Sequence, residues 1–139
     1  MGAFTEKAAL DGRTVLDFGD AFLYLQKEKL ERLVIVQVRK DGTLFDPYQL
    51  AYGQPNRVMF YVPEFAQYVK GIVEWGFVLL HNHPGASEYL PLPPSNQDQK
   101  LNTTVFTIAQ KLGKRYYNHC VIAEKAYYMR DIQPHVFDV

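Results

Sequence analysis

Apolar positions along the chain recur in two distinct periods. From Leu16 to Leu33 they fall at Val15, Phe18, Phe22 and Leu25, with acids early and Lys27, Lys29 and Arg32 late. That order suits a helix dipole, and the spacing predicts a helix weakened by Gly19. Leu33-Val34-Ile35-Val36-Gln37-Val38 is short and β-branched, which predicts a buried strand. Asp41-Gly42 is a hairpin turn signal, with Thr43 to Ala51 as the returning strand and Pro47 marking an edge or a bulge. Pro63-Glu64 opens a second helix, whose apolar face is Phe65, Val69, Ile72 and Val73 and which Gly76 is expected to end.

Phe77-Val78-Leu79-Leu80 reads as a third, fully buried strand. Gly85 to Pro94 holds three of the eight prolines and reads as a loop. Ser95-Asn96-Gln97-Asp98 resembles a capping box, and Leu101, Val105, Ile108 and Leu112 continue at helical spacing until Gly113. Tyr116 to Ala123 and Ala126 to Met129 are the last two strands, around a turn at Glu124-Lys125. The element order predicts one α/β domain with a mixed sheet, residues 1–139, its core about 28–130.

Composition narrows the function classes. The apolar share is 47%, which excludes a disordered chain. Fifteen basic residues balance fifteen acidic ones, so bulk charge does not predict nucleic-acid or anionic-membrane binding. Cys120 stands alone and cannot form an internal disulfide. The first residues carry no apolar signal region, and the longest apolar run, Trp75 to Leu80, is six residues against the ~20 that a bilayer requires. The expectation is a soluble, cytoplasmic protein without a membrane partner.

The chemistry concentrates in His81-Asn82-His83-Pro84. Residues two apart in an extended chain face the same side, so both imidazoles can address one point. Asp98 lies in the first turn of the next helix, where a carboxylate is favoured. Two histidines, one carboxylate and a fourth position for water make the donor set of a catalytic zinc site. Zinc in such a site brings the pKa of its water toward ~7. Each piece has a plainer reading: His-x-His is ordinary strand alternation, and Ser95-x-x-Asp98 is helix capping. Strand, His-x-His-Pro, proline-rich loop and Ser-x-x-Asp in that order are far more specific together.

Those residues resemble the JAMM motif of JAB/MPN-domain zinc metalloproteases, and the His-Asn-His-Pro form is similar to the bacterial RadC branch. Glu31, two residues before the first strand, resembles the acid that opens the family's first core strand. Asn118-His119-Cys120-Val121-Ile122 resembles the family's Asp-His and following strand. The resemblance implies a cytidine-deaminase-like MPN fold, a mixed sheet flanked by helices. It implies Zn²⁺ held by His81, His83 and Asp98, with Glu31 holding the metal-bound water as general base and Ser95 hydrogen-bonding water or the oxygen of the tetrahedral intermediate. The implied substrate is a peptide or a protein conjugate, cleaved at a peptide or isopeptide bond.

Three departures from the family pattern stand out. Eleven residues separate His83 from Ser95 where the pattern has seven. A helix-hairpin-helix region is not expected ahead of the domain. Val62-Pro63-Glu64 replaces the family's His-Pro-Arg. The alternative from another class is a RadC-like protein of DNA repair or mobile elements, with a metal site and no peptidase role; neutral charge disfavours it. A non-catalytic MPN scaffold is a third reading, disfavoured because all three ligands are present. Glu28 competes with Glu31 for the base role, and Glu88 reads as a solvated loop residue. His119 reads as a strand histidine or a support for the ligands, and His135 as an exposed one. Lys111, Lys114 and Arg115 suit a helix C-terminus, and Cys120 reads as inert core.

Overall fold

The computed structural model describes residues 25–27, 29–39, 41, 43, 48–54, 57–58, 62–72 and 76–137, with 49–54 and 57–58 by backbone alone. The elements are β1 (Arg32–Val38), β2 (Tyr48–Gln54), β3 (Arg57–Val58), α1 (Val62–Lys70), β4 (Gly76–Asn82), α2 (Asn96–Lys111), β5 (Arg115–Ile122), β6 (Ala126–Tyr128), α3 (Met129–Ile132) and α4 (Pro134–Phe137). One six-stranded sheet runs β3-β2-β1-β4-β5-β6. β4 pairs antiparallel with β1 and parallel with β5, so the sheet is mixed as expected. The α2 crossover makes the parallel pair possible.

β4 is buried at every residue because it has strands on both edges and side chains packed on both faces. Its alternation splits the core. Val78 and Leu80 join Val34, Val36, Cys120 and Ile122 on one face. Phe77 and Leu79 join Leu33, Ile35 and Val121 on the other, under Phe65 and Val69 of α1 and Val105 and Ala109 of α2. His81 continues the Phe77–Leu79 alternation and so emerges on the helix-covered face.

α2 begins as the Ser95 signal predicts. The Ser95 hydroxyl accepts from the Asp98 amide at 3.1 Å, and the Ser95 amide donates to Asp98 Oδ2 at 2.8 Å. Its buried stripe is Asp98, Asn102, Val105 and Ala109, so Asp98 heads the face turned to the sheet. One turn on, Asn102 Oδ1 accepts from Tyr116 Oη at 2.7 Å and its amide donates to Gln133 Oε1 at 2.9 Å. These bonds fix the helix's rotation on β5. Gly113 follows with φ +71°, the left-handed conformation expected beyond a helix end.

Several boundaries differ from the expectation. Helix α1 stops at Lys70, with a turn at Gly71, and Gly76 opens β4. A Cβ on Gly76 would lie 2.3 Å from the Arg115 carbonyl oxygen, so glycine there serves close strand approach. The returning strand spans Tyr48–Gln54, later than Thr43 to Ala51. Most of the first expected helix lies outside the described residues; Leu25 to Lys27 are helical. Strand β3 and the four-residue helices α3 and α4 had no sequence signal. No helix among the described residues is long and apolar enough to cross a membrane.

Candidate metal centre

His81 is the penultimate residue of β4, and His83 lies one residue past its end. The chain stays extended there, because the His83 amide donates to the Ile122 carbonyl at 2.9 Å and prolongs the ladder. The two rings meet edge to face, centroids 5.0 Å apart at 88°. Glu31 precedes β1, which pairs Leu33 with His81, so its carboxylate reaches across the strand end. Glu31 Oε2 lies 3.3 Å from His81 Nε2, and Glu31 is buried. Asp98 arrives from the start of α2: Oδ2 is 3.1 Å from His83 Nε2, and Oδ1 is 3.4 Å from His81 Nδ1.

Four sequence-predicted residues are therefore together: Glu31, His81, His83 and Asp98. Donor atoms of Glu31, His81 and His83 all lie within 4.8 Å of one another, close enough to share one ion. Asp98 touches both imidazoles while also serving as the acidic half of the capping box. A carboxylate has about four lone-pair directions, so both duties are compatible. Ser95 is exposed at the helix cap, and its hydroxyl oxygen already accepts from the Asp98 amide. Glu28 lies outside the described residues. Glu88 is exposed on the loop, and His135 is exposed near the C-terminus.

The donor set fits a divalent cation on two observations. His83 Nδ1 is 2.7 Å from the Leu92 carbonyl, which can only accept, so Nδ1 carries the proton. In the neutral ring Nε2 then presents its lone pair to the Asp98 carboxylate, an arrangement that a cation resolves. Second, the buried Nδ1 of His81 makes no hydrogen bond and has Asp98 Oδ1 against it at 3.4 Å, an ion-pair contact. Burial pushes the His81 pKa down, but the Asp98 and Glu31 carboxylates outweigh it and hold it at about 9. Burial pushes the Asp98 carboxyl up, and the two imidazoles overcome that and hold it well below the usual range.

His119 lies below the site on β5, its ring 6.0 Å from that of His81, and neither of its buried nitrogens has a hydrogen-bond partner. Burial and then the charge on His81 push its pKa down to about 3, so it is a neutral ring. Cys120 is buried, and burial pushes its thiol up, as befits inert core. Lys114 donates to the Ile72 carbonyl, a role the dipole reading of the basic cluster did not include.

Sequence reasoning missed three contributors. Asn82, between the imidazoles, bonds to the backbone on both sides of Glu31. The Leu92 carbonyl orients His83, and Glu124 Oε2 accepts from the Leu92 amide at 3.2 Å. None has a local signal, since each depends on segments that only the tertiary fold brings together. A family model described as the RadC-like JAB domain matches residues 14–131, most of the chain. No curated protein matches it.

Proposed function

The chain belongs to the RadC-like JAB domain family, and from that premise we propose that it is a zinc-dependent hydrolase of the JAMM type, cleaving a peptide or isopeptide bond. The observation that carries the reading is the convergence of Glu31, His81 and His83 on one point with Asp98 against both rings.

In this reading His81, His83 and Asp98 would hold Zn²⁺, which when bound would supply a Lewis acid and bring the pKa of water toward neutrality. Glu31 is the base placed to accept a proton from the attacking water and to give it to the leaving amine. Its burial beside His81 supports the role, because a base must be held within reach of the proton it moves. Ser95 uses its hydroxyl hydrogen toward the developing oxyanion while its oxygen keeps accepting from Asp98. The Leu92 carbonyl fixes the tautomer of His83.

The one donor group of this kind among the described residues favours amide over phosphodiester hydrolysis, which commonly recruits two metals. The test is loading with Zn²⁺ followed by assay on isopeptide-linked ubiquitin-like conjugates and on C-terminal peptide conjugates. The expected result is metal-dependent cleavage, lost in His83→Ala. Failure to bind divalent metal at micromolar concentration would overturn the reading.

A further inference from the structure

The two histidines of the His-Asn-His run face the site; the residue between them faces the other way. Asn82 is the last residue of β4 and is buried. Its Oδ1 accepts from the Arg32 amide at 2.7 Å, and its Nδ2 donates to the Leu30 carbonyl at 3.0 Å. Leu30 and Arg32 are the two neighbours of Glu31. A single side chain therefore grips the backbone immediately before and after the carboxylate.

We propose that Asn82 is a positioning residue that aims Glu31 at His81, an inference that rests on the metal-site reading above. The β1–β4 ladder ends at the Leu33–His81 rung and the β1–β2 ladder at the Arg32–Tyr52 rung, so strand pairing stops just short of Leu30 and Glu31. The Asn82 amide extends the grip past that rung. Its backbone belongs to the same strand as His81, so the clamp and the target of Glu31 move as one body. Carboxamide chemistry is specified here: the site needs one donor and one acceptor on a single short branch. Aspartate would set an oxygen against the Leu30 carbonyl, and serine is too short to bridge both groups. Glu31 lies 3.3 Å from His81 under this clamp, so small changes in the flanking peptide planes would carry the carboxylate out of reach.

The experiment measures Zn²⁺ affinity of the full chain by competition with a chromogenic chelator, and thermal stability without metal. The proteins are wild type, Asn82→Ala, Glu31→Gln and the double variant. Partners that orient metal-site groups typically change metal affinity by about 10–100-fold. Asn82→Ala is expected to weaken Zn²⁺ about tenfold, and the effect should shrink to within about twofold in the Glu31→Gln background, because residues acting through one another are not additive. Equal weakening in both backgrounds, or a lowered Tm with unchanged affinity, overturns the proposal and leaves a strand-end clamp.

Metal-free protein supplies the second readout. The His81 Nε2–H proton, bonded to Glu31, should give a slowly exchanging NMR signal in wild type that disappears in Asn82→Ala and in Glu31→Gln alike. Its persistence in Asn82→Ala overturns the proposal even where no Zn²⁺ binds, whereas absence of Zn²⁺ binding by wild type strikes the functional reading alone. Should Asn82→Ala fail to fold, Asn82→Ser keeps a polar strand end without the bridge and is read in the same way.

Discussion

His83 Nε2 and Asp98 Oδ2 face each other at 3.1 Å while the opposite nitrogen of the ring is committed to the Leu92 carbonyl. Two lone pairs at that distance repel unless a positive charge lies between them. A proton or a metal ion meets the need, and the ion would also engage the imidazole of His81, whose Nδ1 faces Asp98 Oδ1 at 3.4 Å. His83→Ala is therefore expected to bind much less than one equivalent of divalent metal, with its far-UV circular dichroism unchanged. Elemental analysis that finds a full equivalent of zinc in this variant would show that His83 is not a ligand.

Metal binding should release a proton in the neutral range. The carboxylates outweigh burial and hold His81 protonated to about pH 9, and a coordinated imidazole nitrogen must be free of its proton. Below about pH 9 each metal bound displaces that proton, so apparent affinity should rise roughly tenfold per pH unit toward 9. Calorimetry at pH 7.5 in two buffers of different ionisation enthalpy counts the proton. A count near zero contradicts the coupled site.

His119 should make the metal-free protein acid-labile. Its folded pKa is pushed down to about 3, first by burial and then by His81, against an unfolded value of about 6.5. The unfolded chain then binds the proton that the folded one refuses. The stability contribution is whole above pH 6.5 and is lost as pH falls toward 3, at up to ~1.4 kcal/mol per pH unit. His81, with its pKa raised, acts in a separate window and loses its contribution between 6.5 and about 9 as pH rises. His119→Leu should flatten the acid limb of Tm against pH between 6.5 and 4. An unchanged slope would mean that other groups set acid stability.

The fate of particular residues shows what a linear reading can reach. Ser95, Asp98 and the stripe through Val105 declare α2 because caps and helical spacing are local. His81 and His83 declare a shared direction because strand alternation is local too. Gly76 misleads, since a glycine after a helical pattern has two uses, and the Arg115 carbonyl that selects between them is far along the chain. Asn82 and Leu92 carry no signal for the same reason: their partners, Leu30, Arg32 and Glu124, are supplied by tertiary contact. The helices α3 and α4, four residues each, are too short for any period to register.

The loop Gly85 to Pro94 is anchored at one end and bare at its tip. Leu92 holds both His83 and Glu124, while Ser87 and Leu90 close a small hairpin with mutual 3.0 Å backbone bonds. At this hairpin Tyr89 is 90% exposed and Leu90 58% exposed, an apolar tip on the loop that joins His83 to Ser95. Apolar side chains held in water on such a loop favour contact with a partner or substrate. Replacing both by serine should raise KM several-fold, with kcat and zinc content within about twofold of wild type. Loss of metal in that variant would make the tip part of the ligand scaffold.

Glu31→Gln separates a base from a ligand. The carboxylate is buried, lies 3.3 Å from His81 and is gripped on both sides by Asn82. Glutamine has nearly the same shape and keeps hydrogen bonding, but it cannot accept a proton at neutral pH. Removing a charge this close to the ion should weaken zinc while still allowing one equivalent to load at modest excess. If Glu31 moves the proton in the bond-breaking steps, kcat should fall by about 10²–10⁴-fold with substrate affinity little changed. A variant that loads zinc and turns over within about threefold of wild type would remove Glu31 from proton transfer and return the role to another acid, with Glu28 and Glu88 the first to test.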